Sequence, residues 1–164
     1  MRRLSSVTKS SGKSSNPEAF KKLLDSGCEI GNHTYHHKNV SNMSEGDIRK
    51  ELEMTEKAIS DFTNIKPTLL RPPEGSFGKH LEKVCLEKKY DVILWSIDTR
   101  DWEKASAEQI VATVLNNIEN GDIILMHDYV SHGAHTYEAL KIIIPELLNQ
   151  GYSFVGVNDL LYDE

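Results

Sequence analysis

YDVILWSIDTRDWEK, residues 90–104, sets the run Asp91-Val92-Ile93-Leu94-Trp95 directly before a loop crowded with charge. Its β-branched and aromatic content reads as a buried strand, and the loop then sits at that strand's carboxyl end. Working outward, the same alternation recurs. Asn16-Pro17 opens a helical pattern, PEAFKKLLDS, that Gly27 closes, and a short strand follows at Cys28 to Ile30. Ser44, with Asp47 three residues on, starts a second helix whose Ile48, Leu52, Thr55, Ile59 and Phe62 share one face. A short apolar run at Thr68-Leu69-Leu70 and a helix near His80 to Lys89 precede the quoted strand. After it come a helix from Ala107 with Ile110, Val114 and Ile118 as its stripe, and a strand at Asp122 to Met126. A helix from about Tyr137 to Gln150 and a strand at Ser153 to Val157 complete the pattern. Strands and helices alternating at this spacing imply βα units and a mainly parallel α/β sheet, closed as a barrel or open and doubly wound.

With 164 residues, 38% of them hydrophobic, the chain suits one domain with a real core. Net charge is -6, which argues against a nucleic-acid partner, and no apolar run approaches the roughly 20 residues that cross a bilayer. Cys28 and Cys85 lack CxxC spacing and sit among apolar residues, so they read as buried free thiols. Residues 1–15, rich in Ser and Lys, read as a disordered or non-native segment without the apolar stretch of a signal peptide, with order expected over 16–164.

Polar residues fall where a parallel sheet builds active sites, at the carboxyl ends of strands. His33 follows the first strand, Arg71 follows Leu70, Asp98 and Asp101 follow the quoted strand, and His127 ends another. In GNHTYHH, residues 31–37, His33 and His37 lie four apart and can converge on one cation, whereas His36 points elsewhere. HxxxH alone favours two ordinary surface histidines, and the position at a strand end, beside Asn32 and Thr34, reverses that reading toward ligands. RPPEG, residues 71–75, is either a rigid turn with a solvated arginine or a device in which Arg71 orients a carboxylate or substrate. In the second case a neighbouring backbone N–H faces a developing oxyanion. DTRDWEK is a capping turn, or it carries an aspartate that holds a histidine on a neighbouring loop. His127 is the natural recipient and a candidate general acid, with a core histidine as the alternative. There is no GxSxG elbow and no glycine-rich phosphate loop, which leaves water activated by a metal as the available nucleophile.

GNHTYHH, RPPEG, WSIDTRDWEK and ILMHD, in this order, closely resemble the polysaccharide deacetylase family, the NodB homology or carbohydrate esterase family 4 domain, from about Asn16 to the C-terminus. The resemblance implies a distorted (β/α) barrel and metal-dependent hydrolytic N-deacetylation of an acetylated polysaccharide, peptidoglycan or a chitin-like N-acetylglucosamine polymer. It assigns His33 and His37 to a divalent metal, zinc first and cobalt or another transition metal next. Arg71 then positions the catalytic base, Asp101 tunes the acid, and His127 is that acid. Trp102 and Leu125 become walls of the acetyl pocket, and the backbone N–H of Glu74, where many relatives carry an aromatic residue, serves the oxyanion.

The family begins with a strand ending in two aspartates, the base and the third metal ligand. This chain shows VTKSSGKSS there, so an N-terminal truncation lacking the first strand and helix is expected. That predicts impaired turnover, bare sheet edges and self-association through them. Alternative readings are a glycan-binding pseudoenzyme of the same fold and a deacetylase or amidase of small molecules. Relatives usually work outside the cell or at its wall.

Overall fold

The computed structural model describes residues 2–5, 7–10, 17–61, 63–128 and 135–162. The chain forms two compact units, Val7–Leu94 and Met1–Ser6 with Trp95–Glu164. It opens with two strands, β1 (Arg2–Ser5) and β2 (Val7–Ser10). Residues 1–15 were expected to be disordered or non-native, and within them 2–5 and 7–10 form strands. The physical reason is the sheet edge: an unpaired strand presents a row of N–H and C=O groups that even a polar, serine-rich segment can satisfy. With one residue between the two strands, no helix separates them.

In the unit Val7–Leu94, α1 (Pro17–Asp25) is followed by β3 (Glu29–Asn32), and the turn is made by Gly27 at φ 79°, where a side chain would be strained. The expected N-cap Asn16 lies outside the described residues. α2 (Glu45–Ser60) starts where Ser44 accepts the Asp47 N–H at 3.2 Å, as its capping pattern predicts. Its face Ile48, Leu52, Thr55 and Ile59 is buried, and Phe62 lies outside the described residues. β4 (Leu69–Leu70), α3 (Lys79–Lys88) and β5 (Asp91–Val92) complete the unit. The sheet runs β2-β3-β4-β5, all parallel, and Ile48, Leu52, Leu70, Leu81 and Val84 form the core beneath it.

The expected strand 91–95 shrinks to two residues, extended only by the Ile93 N–H donating to the Leu70 carbonyl at 2.8 Å. Its partner β4 is followed, after Arg71, by Pro72-Pro73, which have no N–H to continue a ladder.

The other unit holds β6 (Ile97–Asp98), α4 (Ala107–Leu115), β7 (Ile124–Leu125), α5 (Thr136–Asn149), β8 (Tyr152–Val155) and α6 (Val157–Tyr162). α4 carries a full capping box between Ser106 and Gln109. Ile110 and Val114 pack with Ala139, Ile143, Leu147 and Tyr152 into a second core, with Ile118 at its margin. β6 pairs with β7 and β1 with β8, again parallel. β3 and β8, whose edges were expected to stand bare, are paired by β2 and β1, which then form the edges of their sheets. The short helix α6 was not foreseen. Among the described residues no helix is long and apolar enough to cross a membrane.

Both cysteines are free. Cys85 is buried, and burial pushes its thiol up to about 11, whereas Cys28 is only half-buried.

Candidate active site

The sheet register decides which side chains meet in the unit Val7–Leu94. Asn32 of β3 pairs with Leu70 of β4, and the Arg71 N–H donates to the Asn32 carbonyl at 2.9 Å, so His33 and Arg71 leave the sheet at the same edge. Asn32 is buried and fully used. Its amide donates to the Leu52 carbonyl at 3.0 Å and the Tyr90 hydroxyl at 2.9 Å, and its carbonyl oxygen accepts the Thr34 N–H at 2.9 Å. That last bond helps hold Thr34 at φ 60°, a left-handed conformation that a β-branched residue adopts only when its surroundings impose it.

His33 and His37 lie edge to face with ring centroids 4.8 Å apart. The Nδ1 of His33 bonds to the Arg71 carbonyl, which can only accept, so Nδ1 carries the proton and the lone pair lies on Nε2, the form a metal requires. His36 faces another way. Its ring bonds to Glu51 at 2.7 Å, and the same carboxylate accepts the N–H groups of Tyr35 and His36 at 3.0 and 2.8 Å. Burial raises the Glu51 pKa, but these three donors together outweigh it and leave the carboxyl below its ordinary 4.5.

Glu51→Gln is expected to cost about 1–3 kcal/mol, because a neutral amide cannot accept all three donors. Since the folded carboxyl titrates below its unfolded value, the native contribution is complete above about pH 4.5 and fades as pH falls through the lower folded value. Thermal unfolding of both proteins between pH 3 and 7 should show their difference shrinking in acid. A difference that is constant with pH would remove this role.

Arg71 is buried, and burial pulls its guanidinium below the ordinary value. Glu74 sits in the turn Pro73–Gly75 at φ 58°, with its exposed carboxylate accepting from Asn39 at 2.7 Å.

The other unit carries a second arrangement. The Asp101 carboxylate is fully enclosed and accepts three donors: His127 Nδ1 at 2.7 Å, the His127 backbone N–H at 2.6 Å and the Thr136 hydroxyl at 2.8 Å. Burial opposes its charge, and the donors still hold it below the ordinary 3.8. The His127 ring is thereby fixed by one nitrogen and presents the other, while its edge stays partly exposed. Leu125 is buried two residues before it in β7, and its carbonyl accepts the Thr99 hydroxyl at 2.8 Å. Trp102 is 45% exposed, with the Arg100 guanidinium 5.9 Å from its ring centroid.

Residues 6–93 match the sequence profile of the polysaccharide deacetylase family. A peptidoglycan-N-acetylglucosamine deacetylase of Bacillus cereus is 39% identical over 148 residues, covering 89% of this chain and 69% of that protein. The chain belongs to the polysaccharide deacetylase family. Two solved structures of this fold are close to the domain. One is a CE4 family pseudoenzyme from Bacillus anthracis, 32% identical with a TM-score of 0.85, over 96% of this chain and 56% of that one. The other is a family 4 acetyl xylan esterase from Clostridium thermocellum in complex with a cobalt ion, 32% identical with a TM-score of 0.83, over 95% and 76%. The chain spans 44% of one curated relative and 30% of another.

Two neighbouring imidazoles, that of His33 held through Nδ1, fit two positions around a divalent cation. Among the described residues no group of three or more His, Cys, Asp or Glu side chains is placed to complete such a site. That is one protein ligand short of the usual three for catalytic zinc.

Sequence reasoning had not singled out Asn32 for its hub role, nor Glu51, Tyr90, Thr99 or Thr136. A signal existed for Glu51: it is a charge set inside the buried stripe of α2, between Ile48 and Leu52.

Proposed function

We propose that the domain catalyses hydrolytic removal of acetyl groups from N-acetylated glycan chains, with peptidoglycan N-acetylglucosamine as the substrate and a divalent metal, zinc before cobalt, at His33 and His37. The observation that carries this reading is the enclosed Asp101 holding His127. Breaking an amide C–N bond at neutral pH requires a proton delivered to the leaving amine. Nδ1 of His127 is committed to Asp101, so Nε2 is the atom that gives the proton. When bound, the cation supplies Lewis acidity toward the acetamide carbonyl. The left-handed turn at Glu74 is the backbone donor for the developing oxyanion, and Trp102 offers a stacking surface for a sugar ring. A peptidoglycan substrate places this work at the cell wall.

The sequence from 1 to 15 contains no Asp or Glu to act as the base, so turnover in this chain is proposed to be about 10²–10⁴ lower than with a base in place. The two-histidine donor set and the similarity to a CE4 pseudoenzyme favour a second reading, a glycan-binding domain without turnover.

Acetate release from N-acetylglucosamine oligomers with added zinc or cobalt tests both. The first reading expects slow release that His33→Ala and His127→Ala each reduce to background. Saturable oligomer binding without acetate would assign the second, and neither release nor binding would remove both.

A further inference from the structure

Among the described residues Arg71 is a buried charge without a counter-charge. It is 8% exposed, its Nε is enclosed without a hydrogen-bond partner, and its Nη2 reaches only the Leu94 carbonyl at 3.4 Å, the outer limit of such a bond. Among the described residues no carboxylate pairs with it, unlike Arg49 and Arg100, which both have acidic partners on the surface. A guanidinium keeps its proton even when buried, so both the charge and the N–H groups need an answer. Water could satisfy the N–H groups but not the charge. Nε–H and Nη2–H form one edge of the planar group, a fork whose spacing matches the two oxygens of a carboxylate.

We infer that Arg71 is a binding site for a small free monocarboxylate such as formate, which takes Nε–H and Nη2–H as a bidentate pair and displaces the weak bond to Leu94. The enclosure of the side chain sets a size limit, so formate enters and benzoate does not. Three non-hydrogen atoms can yield a dissociation constant no tighter than about 1 mM. This site does not depend on the proposed hydrolysis, and its test involves no turnover.

The test uses the ¹⁵N-labelled full chain, following arginine Nε–H resonances while sodium formate replaces sodium chloride at constant ionic strength. The expected result is one resonance that shifts saturably, with its midpoint at millimolar formate or above. It should be absent from Arg71→Lys and unmoved by benzoate. Should Arg71→Lys fail to fold, Arg2→Lys, Arg3→Lys, Arg49→Lys and Arg100→Lys assign the moving signal by elimination among the five arginines of the chain. A thermal midpoint that formate raises above the chloride control, and benzoate does not, is the accompanying readout. A linear drift shared by all arginines, or an equal response to benzoate, overturns the inference.

Discussion

Asp101→Ala is expected to lower stability by about 3–5 kcal/mol, the scale for removing one member of a buried, charge-assisted pair. The size follows from what is stranded: an imidazole N–H, a backbone N–H and the Thr136 hydroxyl all lose their acceptor inside the protein. Urea unfolding measures the loss, and a change under 1 kcal/mol would mean that the carboxylate is not enclosed as described. Asp101→Asn separates stability from chemistry. The amide keeps one acceptor oxygen but turns an NH₂ toward a donor, so the fold should survive while His127 loses its fixed orientation. If acetate release is present, it should fall by about 10²–10⁴. The pH dependence follows from the same geometry. The folded Asp101 carboxyl titrates below its ordinary 3.8, so its stabilisation is complete above that value and is lost as pH falls through the lower folded one. The wild type should show this acid limb, and Asp101→Asn should show less of it.

Leu52→Ala is expected to cost about 2–5 kcal/mol. Leu52 has no exposed surface and packs with Ile48, Leu70, Leu81 and Val84, and its backbone carbonyl also accepts from Asn32. A cavity there removes packing directly beneath the residue that organises the histidine loop, so affinity at the metal site proposed for His33 and His37 should weaken along with stability. Urea unfolding and a metal titration read the two effects. Full metal affinity in a clearly destabilised variant would show that the loop is held by its own hydrogen bonds rather than by the core.

Helices were legible in the sequence because their signals are local: the Ser44 and Ser106 caps and the Ile48-Leu52-Ile59 and Ile110-Val114 stripes all reappear in the structure. Strands were legible in position but not in length. Whether a residue joins a ladder depends on its neighbour in space, and Pro72-Pro73 ended β5 from another strand. The opening segment shows the reverse case, in which composition argued for disorder while open edges recruited β1 and β2. Of the candidate site, Asp101 and His127 were legible as a pair because each follows a strand, and the structure brings them within 2.7 Å. Their third partner, Thr136, was not, since nothing in the spacing from Asp101 foretells the contact. Asn32 and Tyr90 were hidden for the same reason, being 58 residues apart in sequence and hydrogen-bonded in space.

Helix α2 reaches the histidine loop through two consecutive residues, the side chain of Glu51 and the carbonyl of Leu52. An α-helix turns about 100° per residue, so inserting or deleting a single residue between the Ser44 cap and Glu51 would swing both groups off the loop. Descendants of this chain can vary the composition of that stretch but not its length. Gains and losses of residues in this lineage should therefore gather beyond the helix, in the connection from 63 to 68, and alignments of close relatives should run without gaps from 44 to 52.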